Sequence, residues 1–429
     1  MDTHFCTCRN QWLARHLGGI NRQLAILVMP IFNIKKIPAW CLLMLSTASF
    51  AEGMIDIKPT IGTSLNYDDN VFRFSSPDQA KAALGSSNRA DLIKQLDLGL
   101  EVNLRLSRQL ISVTSSITEN KYSRFSNLDN TGKAIGLRWD WRLGNDFYGT
   151  LSANKTEAIA GFNETRSPIK NIRSTDRQSA SINWSFRPDW TLYVNGERDH
   201  FSNEAISSIE LNREDQIVES GIRYQNQLGT QLGLSYRMID TSLPNRTGLI
   251  RTLFGAESST EEVAFNAAWL PAPKTRVSTR LSHINLTRKD SQLSNFNGFN
   301  QHWGLDYAAT SKVNLNLVAY QNLSPIDDVV STYVKTTGVE INPSWNLTSK
   351  VTLRGKLSYA ENAYIGSAAI SSNNIERLDA STQAGLSLIY SPTLKSLLAL
   401  QYTGEKRTSN IADAGYRFNN VNILFRYGF

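Results

Sequence analysis

The chain of 429 residues holds three cysteines, Cys6, Cys8 and Cys41, all within its first 41 positions. Beyond them no disulfide and no thiolate metal site can form. Long apolar runs are also scarce. The stretch from Ile37 to Phe50 stands out, and it falls short of the roughly 20 residues that a spanning helix needs. Charge of one sign is missing: 45 basic residues face 38 acidic ones, and five of the former and one of the latter precede residue 52, leaving a net +3 after it. That balance argues against a nucleic-acid binder. Catalytic signatures are few, with only His200, His283 and His302 beyond residue 52 and neither a Gly-x-Ser-x-Gly nor a His-Glu-x-x-His run. The mean hydropathy of −0.30 excludes a bundle of membrane helices, yet it suits a barrel in which alternate residues face lipid and the rest face water.

Lys35 and Lys36 precede the apolar run, and Ser49-Phe50-Ala51 supplies small residues where a signal peptidase would cut. Residues 29–51 are therefore expected to be a secretory signal, with Met29 as a natural start. Residues 1–28 read as a start-site extension, and residues 52–429 as the mature domain.

From about residue 55 the chain repeats strand, short turn, strand and long polar loop at a period near 40 residues. Leu96, Leu98, Leu100, Val102, Leu104 and Leu106 share one face of a strand, against Asp97, Gly99, Glu101, Asn103 and Arg105 on the other. The same alternation sets Ile135, Leu137, Trp139 and Trp141 against charged neighbours, and again Val351, Leu353, Leu357 and Tyr359. Short turns are expected after Leu106, Leu143, Phe186, Asn226, Leu270, Ala309, Trp345 and Tyr390, each built from residues that turns prefer. Eight such turns and nine longer connections, among them Asp68 to Asp91, Ala158 to Ser174, Thr241 to Ser259 and Ala363 to Ile375, join 18 strands. The expectation is an all-β, transmembrane, antiparallel up-and-down β-barrel of about 18 strands. Trp139, Trp141, Trp184, Trp190, Trp269, Trp345 and Tyr390 all lie near the short turns, where an interfacial aromatic girdle belongs.

The last strand has Val421, Ile423, Phe425, Tyr427 and Phe429 on a single face and Arg426 on the other. This ending resembles the assembly signal of bacterial outer-membrane β-barrels, which implies outer-membrane localisation, lipid on the apolar face and recognition by the barrel-assembly machinery. It is expected to close the barrel on the first strand, near Ile57 to Tyr67.

The opposite faces of the strands would line a lumen. Its basic candidates are Arg105, Arg138, Arg142, Arg187, Arg223, Arg237, Arg280, Arg354, Lys356 and Arg426, and its acidic ones Asp97, Glu101, Asp140, Glu197, Glu219, Asp306, Glu340 and Glu405. So many ions of both signs suit a water-filled passage, since a dry interior would leave many of them unsolvated; the alternative is a plugged barrel whose charges pair across the wall. Asp199-His200 with Ser202 is the most suggestive catalytic group, but adjacent strand residues point to opposite faces. Asp68-Asp69-Asn70 looks like a calcium cluster without the glycine and distal glutamate of a calcium loop, and reads rather as a solvated loop start. No catalytic, cofactor or metal residues are expected.

Four segments, Tyr67-Asp-Asp-Asn-Val-Phe72, Trp139-Asp-Trp-Arg-Leu-Gly144, Ser174-Thr-Asp-Arg177 and Arg187-Pro-Asp-Trp190, resemble recurring elements of the EpsL-type exopolysaccharide-biosynthesis outer-membrane proteins of exosortase-associated gene clusters. The resemblance runs from about Ile55 to Phe429 and implies a barrel that passes a polysaccharide outward, with periplasmic export components as partners. It carries over no catalytic or ligand residue. A general or substrate-specific diffusion porin and a structural or adhesive barrel stand beside that reading. A long inward-folding loop would favour the porin, and loss of secreted polymer on deletion would favour export.

Overall fold

The computed structural model describes residues 54–163, 166–289, 295–325, 333–365 and 377–429. The expected signal segment, the upstream extension and all three cysteines lie outside the described residues.

Eighteen strands follow one another: β1 (Ile55–Asp68), β2 (Asp91–Leu106), β3 (Gln109–Tyr122), β4 (Asn130–Leu143), β5 (Phe147–Ile159) and β6 (Ile172–Arg187). Next come β7 (Trp190–Asn203), β8 (Arg213–Gln225), β9 (Gln231–Ser242), β10 (Glu257–Ala272), β11 (Thr275–Lys289) and β12 (Phe296–Tyr307). The last six are β13 (Val313–Pro325), β14 (Tyr333–Asn346), β15 (Val351–Ile365), β16 (Arg377–Thr393), β17 (Ser396–Ser409) and β18 (Tyr416–Gly428). Each pairs antiparallel with the next, and β1 pairs with β18, so the sheet closes on itself. Closure leaves no edge whose N–H and C=O groups would lie bare in hydrocarbon.

At the seam Ile61 lies opposite Tyr427, Thr63 opposite Phe425 and Leu65 opposite Ile423, while Gly62 meets Arg426. The backbone N–H of Phe429 donates to the Pro59 carbonyl at 3.0 Å. Because register is common to both faces, the same pairing that stacks the apolar residues outside carries Arg426, Asn422 and Leu424 inside.

The outer face is a hydrocarbon surface. Ile135, Leu137, Ile182, Val194, Leu234, Val263, Leu357, Leu386 and Leu400 are each at least 50% exposed. In water each would forgo roughly 1.5–3 kcal/mol of burial, and so continuous a patch is foreign to a soluble monomer. Trp139, Trp184, Trp190, Trp269, Trp345 and Tyr390 stand exposed at the short-turn end, where indole and phenol groups suit the membrane–water interface. The strands are 12–17 residues long, against the 9–11 or so that cross a bilayer, so their far ends rise beyond it. An 18-stranded barrel with this belt belongs in the bacterial outer membrane, with the short turns in the periplasm.

Two periplasmic turns fall later than the sequence suggested. β10 runs on through Leu270 to Ala272 and β16 through Tyr390 to Thr393. In both places the register shifts, between Trp269 and Ala272 and between Tyr390 and Thr393. A bulge absorbs the extra residues and lets pairing resume past a proline.

Candidate functional site

Strand alternation puts Arg105, Arg138, Asp140, Arg142, Arg223, Arg237, Arg280, Asp306, Glu340, Arg354 and Lys356 on the face opposite the belt, directed at the barrel axis, as the pairing registers show. Many form pairs within the wall. Arg138 grips Asp140 through two hydrogen bonds of 2.7 and 2.6 Å, and Thr150 adds a third at 2.7 Å. Lys356 reaches Glu340 at 3.7 Å. Asp306 accepts from the Asn316 amide at 2.8 Å, and Asn316 in turn accepts from Asn342 at 3.1 Å, a ladder across three strands.

Sequence reasoning missed the hub of one such group. Glu262, buried in the wall of β10, takes Arg280 at 3.0 Å and Arg237 at 3.7 Å. Its place between two expected cations on neighbouring strands was the available signal. Arg177 on β6 likewise holds Asp199 of β7 with two bonds of 2.7 Å. His200 faces the other side of the wall, 3.2 Å from Glu214, so Asp199 and His200 are separated by the sheet and cannot act on one substrate.

At the extracellular end the first loops pack on one another and on the wall. The first connection, residues 69–90 (L1), carries helix α1 (Pro77–Leu84). Ser76 caps it by accepting from the Gln79 N–H, Pro77 opens the first turn, and Gly85 at φ +71° closes it in a left-handed conformation. The stretch read as a solvated loop start is instead buried. Asn70 is fully enclosed, donates to the Phe74 and Arg417 carbonyls at 2.9 Å each and accepts from the Phe74 N–H at 3.0 Å. Asp68 accepts from the Asn70 N–H at 2.8 Å and from Arg73 at 2.9 Å, and Asp69 accepts twice from Asn419 at 2.7 Å. Asp68, through Arg73, folds the loop back onto the inner wall, while Asp69 ties its root to the outward-facing Asn419 of β18. No group of three or more His, Cys, Asp or Glu side chains placed to hold a metal ion occurs among the described residues.

That fold-back buries an aromatic cluster. Phe72 is wholly enclosed and lies 4.9 Å from the Phe125 ring and 4.8 Å from Phe162, tying L1 to the second and third extracellular loops (L2, residues 123–129; L3, residues 160–171). Tyr122, Leu128 and Ala80 complete the core. Asp91 anchors L2 through the N–H groups of Arg124 and Phe125, both at 2.9 Å. Arg166 carries L3 on to the last extracellular loop by donating to the carbonyls of Asp413 and Ala414. Burial, and then the nearby Arg407, pull its pKa below the ordinary arginine value. Arg407 and Arg377 both hold Asp379, whose side chain is sealed from solvent, so the inner rim of β16–β17 is fixed as well. On another arc a helix, α2 (Gly248–Phe254), and its loop cover a cavity of about 190 Å³ lined by Arg213, Asp215, Arg246 and Arg288.

Residues 283–427 match the family model described as "Putative beta-barrel porin 2". The chain is a porin-like outer-membrane β-barrel. Acinetobacter baumannii OccAB3 superposes on this porin-like barrel over 87% of its length and 100% of OccAB3, at 10% identity and a TM-score of 0.52. A BenF-like porin from Pseudomonas fluorescens Pf-5 covers 89% of the chain and 100% of that porin, at 12% identity and a TM-score of 0.50. Pseudomonas aeruginosa OccK2, solved with glucuronate, covers 87% and 98%, at 9% identity and 0.50. Among curated proteins no match is found. At these identities the likeness is one of fold.

Proposed function

We propose that this porin-like barrel is a passive passage for small hydrophilic solutes, narrowed at its outer mouth by L1 to L3. The observation that carries the reading is the inward course of L1, with Phe72 buried against L2 and L3 and Arg73 held over the inner wall. A fixed loop cluster in the mouth sets a size limit, which suits diffusion of small molecules better than threading of a polymer. The wall charges support weak selectivity: Arg138 with Asp140 and Lys356 with Glu340 cancel locally, so the described wall carries charge of both signs.

Polysaccharide export is the second reading, supported by the four EpsL-like segments. Their residues here do structural work: Asp68 and Asn70 fold L1, Trp139 stands in the girdle, and Arg187-Pro-Asp-Trp190 forms a periplasmic turn. These roles speak for architecture more than for cargo. In that reading the short turns would meet periplasmic export components, and the barrel-assembly machinery would serve either case.

The test pairs planar-bilayer conductance of the purified protein with a clean deletion assayed for secreted and periplasmic polysaccharide. Ohmic conductance with unchanged secretion and altered small-solute uptake supports the porin. Loss of secreted polymer with periplasmic build-up would replace it with export.

A further inference from the structure

The outer face of the barrel is not evenly charged above its belt. On β17 and β18 the register sets Lys406 directly opposite Arg417, and on β2 and β3 it sets Lys94 directly opposite Lys121. All four share the face of the belt residues and lie within a few residues of the extracellular strand ends. Like charges directly opposed across an antiparallel ladder have Cβ atoms about 5 Å apart and repel. Lys406 and Arg417 are exposed and, like Lys94, form no ion pair among the described residues. Lys121 is answered by Asp129 at 3.1 Å and Glu119 at 3.6 Å. Asp69, the acid on β1's side, is turned to Asn419 by two hydrogen bonds of 2.7 Å.

We propose that these two cation pairs dock the phosphates of a phosphorylated glycolipid of the outer leaflet. Three observations argue for that occupant. The pairs flank β1, whose Tyr67 is exposed between them, and Leu65, Ile423 and Leu400 continue the same face downward as bare apolar surface. The ligand must therefore be an amphiphile, with anions at the rim and chains on the belt. Each pair presents several donors to one point, which suits a phosphate better than a single-point carboxylate. The arc is also distinct from the far side of the barrel, where Asp240, Glu257 and Glu261 face outward and Lys289 is paired to Glu257 at 3.4 Å. Phosphate headgroups would thus gather on one side, where the repulsion between paired cations is relieved.

The experiment measures lipid A retained per barrel after extraction from outer membranes in mild detergent, for wild type, Lys406→Gln/Arg417→Gln, Lys94→Gln/Lys121→Gln and the control Lys289→Gln. Each double variant is expected to retain lipid A roughly fivefold less or lower, the size of a lost pair of charge-assisted contacts, with the control unchanged. Equal retention in the double variants would overturn the proposal. Should a variant fail to assemble, refolded wild-type barrel is titrated with lipid A, its dephosphorylated counterpart and phosphatidylglycerol. Preference for the phosphorylated glycolipid supports the site, and equal binding of all three sinks it. Neither result depends on what crosses the lumen.

Discussion

Arg73 lies over the ring of Phe418, its guanidinium carbon 3.6 Å from the centroid, while its Nη1 donates to Asp68 at 2.9 Å. One side chain thus fastens L1 both to its own root on β1 and to the inward face of β18. The pair is largely shielded, with the Arg73 and Asp68 side chains only 13% and 7% exposed. Breaking such a pair from one side costs on the order of 3–5 kcal/mol, because the partner charge stays buried.

Arg73→Gln should therefore free L1 from the wall without unfolding the barrel. The expected result is higher single-channel conductance and new protease sensitivity within residues 69–90, with the heat-stable folded form retained on gels. Unchanged conductance and cleavage would show that L1 is held by other means.

Phe72→Ala should act on the same loops through packing. Emptying a site enclosed by Phe74, Phe125 and Phe162 costs about 3–5 kcal/mol for an aromatic, charged to the loop cluster and not to the strand ladder. Hydrogen exchange should rise in L1, L2 and L3 together and stay unchanged in β7 to β16. A rise confined to L1 would show that the three loops are not one packed unit.

Glu262→Gln removes the one acid between Arg280 and Arg237. The lumen wall then gains a local net positive charge, and reversal potentials in a salt gradient should move toward anion selectivity. Glu340→Gln, which leaves Lys356 without its acid, should move them the same way by a smaller step because that contact is longer and more exposed. An unmoved reversal potential in both would mean that ions do not pass along this wall.

Deleting Phe429 removes a backbone donor to Pro59 and a ring 5.1 Å from Tyr427. The yield of folded barrel should fall several-fold, while the conductance of barrels that do insert stays at the wild-type value. Normal yield would show that the final aromatic is dispensable for assembly.

The wall was legible in the sequence because a strand between lipid and water has only two faces, and Leu96 to Leu106 or Val421 to Phe429 declare them by strict alternation. Pairing follows from that alternation, and so does the inward placement of Arg138, Arg280 and Lys356. The mouth was not legible. Phe72, Phe125 and Phe162 sit in three polar connections, 53 and 37 residues apart, and nothing local says that they meet. Asp68-Asp69-Asn70 looked solvated because acidic loop residues usually are. Their partners, Arg73, Asn419 and the Arg417 carbonyl, come partly from the other end of the chain, brought near only by closure. One signal was present, Ser76-Pro77 ahead of Ala80 and Leu84, which marks a short capped helix inside L1.

The closing seam has a consequence for how errors are caught. If β18 slid by one residue against β1, Arg426 and Asn422 would enter hydrocarbon while Phe425 and Ile423 turned to water. Any slip by an odd number of residues puts the wrong side chains on both sides of the wall. The bilayer itself therefore proofreads the last step, rejecting a ring closed one residue out of register.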